Sequence, residues 1–302
     1  MDLSILIVNW NTAPLLRQCL RALREATRSL GAVETIVVDN ASRDGSADLV
    51  RNEFPAVRLI ANSTNRNYAA GSNQALAAAT GDRILLLNPD TVVGDAALLR
   101  LIRFLDAHPS AGGVAPRLVH PDGRTQPSVR GFPTPRALFA EVSGLARLFP
   151  RWGWATYRAA PPLDRPSRVE QPMASCLLLR GEALRAVGGF DEAFPLFWND
   201  VDLCLRLHAA GWEIWYEPGA VVIHYGGAST RQVRLSAIWA SHRGLHRLLA
   251  KHYRKQLPGP LYPLAIAGIY GAGVARVLLA AVGAAVARRP PPYPAPSEEA
   301  LP

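Results

Sequence analysis

The sequence predicts an α/β protein, a mostly parallel sheet flanked by helices. Short apolar runs without polar alternation, such as Leu3–Val8, are what a strand buried on both faces requires. Segments with apolar residues spaced three and four apart separate these runs. Strand and helix signals alternate through the first third of the chain, the order that builds parallel sheets.

The elements follow in turn. After Leu3–Val8, Pro14–Leu30 carries Leu15, Leu16, Cys19, Leu20 and Leu23 at helical spacing. Glu34–Val38 is a second strand, Asp44–Glu53 a short helix and Val57–Ala61 a third strand. Ala69–Ala79 is an Ala-rich helix, Arg83–Leu87 a fourth strand and Ala96–Ala107 another helix. Residues 130–172 are rich in Pro and Arg and read as a long loop. Pattern returns with a strand at Ser175–Leu179, a helix near Glu182–Val187 and another at Asp200–Ala210. Glu213–Tyr216 and Val221–Ile223 read as strands, Val233–Arg254 as a basic helix, and Leu261–Ala287 as apolar apart from Arg276. The expected division is an α/β domain over 1–229, with halves 1–110 and 111–229, then helices over 230–289 and a disordered Pro-rich tail over 290–302.

Three dispersed cysteines, Cys19, Cys176 and Cys204, form no metal-type pair and suggest a reduced, cytosolic protein. The first apolar run is too short for a secretory leader, so none is expected. The net charge is +9, and its placement is uneven. Residues 1–217 hold 23 basic and 22 acidic residues, whereas 218–289 hold ten Lys or Arg and no acid. Nucleic acid or anionic lipid would suit that segment, and the apolar stretch behind it favours lipid. Leu264–Ala287 is long enough to span a bilayer, which takes roughly 20 residues. Arg276 near its centre favours a segment that lies in one leaflet or re-enters.

Ligands of open parallel sheets bind beyond the carboxyl ends of the strands. Three such ends carry polar clusters: Asn9-Trp10-Asn11, Asp39-Asn40-Ala41-Ser42 and Asn88-Pro89-Asp90-Thr91. Asn, Asp and Ser are also ordinary turn and cap residues, so each cluster alone has a structural reading. Three at one sheet edge point to a site.

Four stretches resemble family 2 glycosyltransferases, which adopt the GT-A fold. They are VVDNASRDGS from Val37 to Ser46, NRNYAAGSN from Asn65 to Asn73, LLLNPDT from Leu85 to Thr91, and GGFDEAFPLFWNDVDLCLR from Gly188 to Arg206. The rhamnosyltransferase branch is the most similar. The resemblance implies an inverting transferase with a Mg2+ or Mn2+ ion and a nucleotide-sugar donor, dTDP-rhamnose first and a UDP-sugar as the alternative. It implies that Asp39 contacts the nucleoside, with Asn9, Asn11, Asn40, Asn65, Asn67, Asn73 and Asn88 on the donor side. Asp90 is implied as the metal ligand and Asp200 as the base. His224, in HYGGAS, is implied as a second metal ligand or a diphosphate contact. Trp198, Asn199 and Asp202 fall on the acceptor side.

Two positions depart from the family pattern. Asn88 replaces the first Asp of the metal motif, which leaves most of the binding to Asp90. Asn67 replaces a glycine, and Asn tolerates positive φ best among the remaining residues. A capping box from Asn199 to Asp202 is the structural alternative for those acids. Asp200 and Asp202, two apart on a helix, cannot easily share one job.

The expected acceptor is a glycan or lipid-linked glycan, at the inner face of a membrane, with no nucleic acid partner. A nucleotidyltransferase would show a Gly-rich loop after the first strand, where Asn9-Trp10-Asn11 stands instead. A processive synthase would show Gln-x-x-Arg-Trp, which Gln232-Val-Arg-Leu does not match. A catalytically inactive scaffold would not need Asp39, Asp90, Asp200 and His224.

Overall fold

A computed structural model of the chain describes residues 2–143, 145, 163–227 and 230–286. Its centre is a nine-stranded sheet. The strands are β1 (Leu3–Asn9), β2 (Val33–Asp39), β3 (Arg58–Ala61), β4 (Arg83–Leu87), β5 (Thr91–Val93), β6 (Ala111–Val119), β8 (Ser167–Arg168), β10 (Cys176–Arg180) and β11 (Glu213–His224). Their order is β3-β2-β1-β4-β10-β6-β11-β5, with β8 on β11. β7 (Val129–Arg130) and β9 (Gln171–Pro172) form a separate ribbon. β10 pairs antiparallel with both β4 and β6, while β6 and β11 pair in parallel. Six strands thus run one way, and β5, β8 and β10 oppose them.

The apolar runs are buried on both sides, as their lack of alternation predicts. Leu3, Ile5 and Ile7 of β1 face one layer, with Leu16, Leu20 and Leu23 of α1 (Ala13–Ala26) and Leu98, Leu101 and Leu105 of α4 (Asp95–Ala107). Leu6 and Val8 face the other. That layer holds Ala69 and Ala75 of α3 (Asn67–Ala78), Leu184 of α6 (Gly181–Ala186), and Leu203 and Leu207 of α7 (Asn199–Ala209). Between them in the chain, α2 (Ser46–Glu53) is preceded by Asp44, whose Oδ1 accepts from Ser46 N at 3.1 Å and whose Oδ2 accepts from Ala13 N at 2.7 Å. One carboxylate therefore ties the starts of α1 and α2.

Several expectations need correction. The strand β6 was not predicted, because Gly112, Gly113 and Pro116 dilute its signal. Those glycines are needed for close packing: an added Cβ would meet Trp212 and Leu179, each at 2.6 Å. The two short strands expected at 213–223 are one, kinked by an irregularity between Glu217 and Val221. The loop expected over 130–172 contains α5 (Pro135–Val142), capped by the Thr134 hydroxyl, which accepts from Ala137 N. The rest of that loop up to residue 162, apart from Ser143 and Leu145, lies outside the described residues, as does the tail over 290–302.

The basic helix is also not continuous. A 3-10 turn (Thr230–Val233) leads into α8 (Arg234–Leu248), a π-helical turn (Leu249–Tyr253) and a second 3-10 turn (Arg254–Gln256). Then α9 (Leu261–Val286) folds back along α8. Trp239 meets Tyr270 with ring centroids 6.4 Å apart, and His246 bonds both Tyr270 and Tyr262 hydroxyls. Leu245 of α8 is covered by α9, and Leu248 packs on Phe194 and Val201 of the sheet domain. The face open to solvent belongs to α9: Leu264 is 66% exposed and Leu279 72%.

Candidate active site

The parallel register places the first two polar clusters side by side. Asn9 and Asp39 are Cα partners at the ends of β1 and β2, and both are buried. Asn9 Nδ2 donates to Asp39 Oδ1 at 2.9 Å, and Ser42 N donates to Asp39 Oδ2 at 3.0 Å. Asn11 closes the same turn, its Oδ1 accepting from Arg43 N at 2.7 Å. Asn40 Nδ2 donates to the Asn67 carbonyl at 3.0 Å, and Asn65 Oδ1 accepts from Asn67 N at 2.8 Å.

These turns carry backbone strain. Among the described residues, the non-glycine residues with positive φ are Asn11, Ala41, Asn67 and Trp198. Asn11, Asn67 and Trp198 border the open edge of the sheet, and Ala41 sits between Asn40 and Ser42. Strain of this kind, about 1–3 kcal/mol per residue, persists where surrounding contacts over-determine it, and often where function needs it. Asn67 at φ +66° is the position where the resemblance expects glycine.

Val8, Asn9, Trp10, Asn40, Asn65, Asn67 and Tyr68 line a cleft of about 370 Å3, whose far wall includes Ala237, Ala240 and Arg243 of α8. Asn73 is not with them. Its amide bonds the backbone of Phe190 in both directions, at 2.9 Å each, and clasps α3 to the loop after α6. The donor contact expected of Asn73 is replaced by this brace.

The antiparallel pairing of β5 with β11 sets Thr91 opposite His224, and Tyr225 N donates to the Asp90 carbonyl at 2.9 Å. Asp90 and His224 are thus neighbours, 6% and 3% exposed. The tautomer of His224 follows from Gln126. Gln126 Nε2 donates to the His224 carbonyl and approaches His120 Nδ1 at 3.0 Å, which orients the amide. Its Oε1, an acceptor only, lies 2.9 Å from His224 Nδ1. His224 Nδ1 therefore donates to that oxygen, which turns Nε2 toward Asp90. That nitrogen lies 3.4 Å from Asp90 Oδ1 and has no hydrogen-bond partner among the described residues.

A carboxylate oxygen and an imidazole nitrogen facing each other in a buried place can share a proton or hold a metal cation. One carboxylate oxygen and one imidazole nitrogen suit Mn2+ well, and Mg2+ less because it prefers oxygen. No group of three or more His, Cys, Asp or Glu able to hold a metal occurs among the described residues. Beneath the pair, burial pushes the Cys19 thiol up to about 12, with Asp90 adding to the effect and Thr91 opposing it. Asn88 is fixed one step away, with Nδ2 donating to Ser175 Oγ at 3.1 Å.

Gln126 was not singled out in the sequence, where it stands in a Pro- and Gly-rich turn with no distinguishing neighbours. It should matter because partners behind a metal-binding imidazole hold its tautomer and aim. Gln126→Leu is expected to weaken Mn2+ binding about 10- to 100-fold, measured by electron paramagnetic resonance of free Mn2+. Unchanged affinity would remove both Gln126 and His224 from the cation site.

Asp200 sits in the first turn of α7. Burial raises its carboxyl above the ordinary Asp value, against backbone N–H bonds from Val201, Ala174 and its own N–H, and the Arg130 charge. Ala174 adjoins Ser175, which accepts from Asn88 N at 2.9 Å. Two consecutive residues therefore connect Asp200 to the Asn88–Asp90 turn. The capping box weighed as the structural alternative does not form, since Asn199 Oδ1 accepts from Asp200 N at 2.7 Å instead. Buried Asn199 also donates to the Leu196 carbonyl, so both ends of its amide are engaged within this turn.

Trp198 and Asp202 have duties the sequence did not reveal. The Trp198 indole donates to the Ser241 carbonyl at 2.7 Å, and a Cβ on Gly244 would stand 2.6 Å from its ring. The ring is the wedge on which α8 rests. Asp202 is wholly buried and accepts from Lys251 Nζ and His252 Nε2 at 2.7 Å each and from Arg206 Nε at 2.8 Å. Burial alone would raise its carboxyl, but His252, Lys251 and Arg206 together bring it down to about 2. An acceptor contact at Asp202 gives way to an internal ion cluster. The π-helical turn accounts for it, because that turn holds both Lys251 and His252.

Residues 4–158 match the profile described as Glycosyl transferase family 2. The chain is 32% identical over 274 residues to the N-acetylglucosaminyl-diphospho-decaprenol L-rhamnosyltransferase of Mycobacterium tuberculosis, covering 86% of this chain and 87% of that one. It is 27% identical over 175 residues to rhamnosyltransferase WbbL of Escherichia coli, covering 57% and 63%. A similar fold occurs in the mannosyltransferase PcManGT of Pyrobaculum calidifontis, solved with GDP-Man and Mn2+. That likeness has a TM-score of 0.57 at 17% identity and covers 96% of this chain and 76% of that one. The mixed, mostly parallel sheet is thus the GT-A arrangement, and the chain belongs to Glycosyl transferase family 2, as a glycosyltransferase with rhamnosyltransferases among its relatives.

Proposed function

We propose that this glycosyltransferase moves rhamnose, with inversion, from dTDP-rhamnose to a hydroxyl of a lipid-linked glycan at the cytoplasmic face of a membrane. The observation that carries the reading is the buried Asp90–His224 pair, with Nε2 turned toward the carboxylate and without a hydrogen-bond partner among the described residues. Asp90 and His224 would hold Mn2+ or Mg2+, which offsets the charge gathering on the departing diphosphate. Asp39, Asn9, Asn40, Asn65 and Asn67 would hold the nucleoside end in the adjoining cleft. Asp200 would accept the proton of the attacking hydroxyl, and its raised carboxyl is a stronger base than an ordinary Asp once ionised. The relative whose name specifies a diphospho-decaprenol substrate supports a lipid-linked acceptor.

A donor screen by thermal shift with Mn2+ tests this directly. A donor at a hundred times its dissociation constant adds about 2.7 kcal/mol to the folded state. dTDP-rhamnose with Mn2+ should give the largest rise in Tm. A larger rise with UDP-glucose would move the assignment to UDP-sugars, and no rise with any nucleotide-sugar would remove it.

Membrane contact is assigned to α9. Leu261–Ala281 has mean hydropathy 1.8 and is long and apolar enough to cross a membrane. Leu264, Leu278 and Leu279 are exposed, and together with Arg276 and the basic residues of 243–255 they suit an anionic surface. Replacing those three leucines by Glu should lower flotation with anionic liposomes by on the order of a hundredfold or more. Equal flotation would place the membrane contact elsewhere.

A further inference from the structure

A second cavity opens beside the donor cleft. It holds about 210 Å3 and is lined by Pro195, Leu196, Phe197, Ala240, Arg243, Gly244 and Arg247. Pro195, Leu196, Ala240 and Arg243 also line the donor cleft, so the two cavities share a wall. No Asp or Glu lines either cavity among the described residues. Arg243 and Arg247 lie one turn apart on α8 with no acid anywhere in 218–289, a repulsive arrangement in an empty cavity. The guanidinium of Arg247 is aimed by a bond to the Ala193 carbonyl. Gly244 lies between them and lets the helix sit against Trp198.

The position of this cavity is as informative as its charge. Its floor, residues 195–197, runs directly into Trp198, Asn199 and Asp200. Its other wall is α8, whose far side carries α9 and the exposed leucines. Arg243 and Arg247 therefore lie opposite the segment that leads into Asp200, on the helix against which α9 packs.

We propose that this cavity is the subsite for the phosphate group of the acceptor, with Arg243 and Arg247 as its ligands. The substrate class is a glycan joined through a phosphate or diphosphate to a prenyl chain: sugar toward Asp200, phosphate between the arginines, chain along α9. Guanidinium forks match phosphate oxygens and keep their charge at every working pH. The inference rests on the proposed lipid-linked acceptor and adds the residues that recognise it.

The test uses the full chain with Mn2+ and dTDP-rhamnose, and Arg243→Gln, Arg247→Gln and the double variant, each checked for an unchanged thermal transition. Two readouts are taken. One is KM for farnesyl-diphosphoryl N-acetylglucosamine. The other is direct binding of a fluorescent prenyl diphosphate in the presence of dTDP, which needs no turnover. Each single variant should raise KM about tenfold or more and weaken the fluorescent probe equally, while donor affinity of Arg247→Gln changes less than twofold. Arginine-dependent probe binding without transfer by the parent chain would keep the subsite and remove the proposed reaction. The subsite is overturned if the parent chain does not bind the probe, if the variants bind it as the parent does, or if Arg247→Gln weakens the donor as much as the acceptor.

Discussion

Asp200→Asn should abolish transfer, by about 10²- to 10⁴-fold in kcat, and leave donor binding intact. The same substitution should make the protein more stable at neutral pH. Dehydration raises the Asp200 carboxyl, so the folded state binds its proton more tightly than the unfolded chain does. The stability linked to this group is full below the ordinary Asp value near 4 and is lost as pH rises through the raised value. An amide carries no such penalty and still accepts the N–H bond that Val201 gives Oδ1 at 2.9 Å. Chemical denaturation of both proteins at pH 8 and pH 4 checks the sign: the advantage of Asn should shrink toward the lower pH. In the parent enzyme the acidic limb of kcat should lie above the ordinary carboxylate range. A variant with parent-like turnover would assign the base elsewhere.

Asp202→Ala should act on stability, with activity lost as a consequence. The side chain is fully enclosed, and its removal leaves Lys251, His252 and Arg206 without their shared anion. Breaking a buried ion cluster from one side typically costs about 3–5 kcal/mol. The expected outcome is a lower denaturation midpoint and faster proteolytic cleavage within residues 249–257. The pH dependence has the opposite sign to that of Asp200. A carboxyl held at about 2 stabilises fully above the unfolded value near 4, and that contribution fades as pH falls from there to the folded value. Parent-like stability of Asp202→Ala at pH 7 would mean that the cluster contributes nothing net.

The two predictions concern carboxylates two residues apart, and the sequence did not reveal the ion cluster that holds Asp202. The sheet was legible because β1, β2 and β4 are continuous apolar runs ending in polar clusters, and register then joins those ends. Asn67 was legible because its conformation is local. The sequence did not reveal what depends on distant pairing. Two partners of Asp202, Lys251 and His252, lie about fifty residues away, on a turn whose register differs from the helix that periodicity suggests. Gln126 stands 98 residues from the histidine it orients. The strand β6 was hidden by glycines whose need is set by Trp212 and Leu179 across the sheet. The basic face of α8 was visible, but its apolar face carries no mark of what covers it.

The order of strands has a consequence for synthesis of the chain. β4 pairs on one side with β1, already made, and on the other with β10, which comes some ninety residues later. Until Cys176–Arg180 emerges, Ile84–Leu87 stands as a bare apolar border, the kind of unpaired edge that recruits other chains. A ribosome that stalls between residues 110 and 175 would therefore leave a sticky half-sheet, and cutting the catalytic domain at residue 110 should yield aggregate in place of a nucleotide-binding fragment.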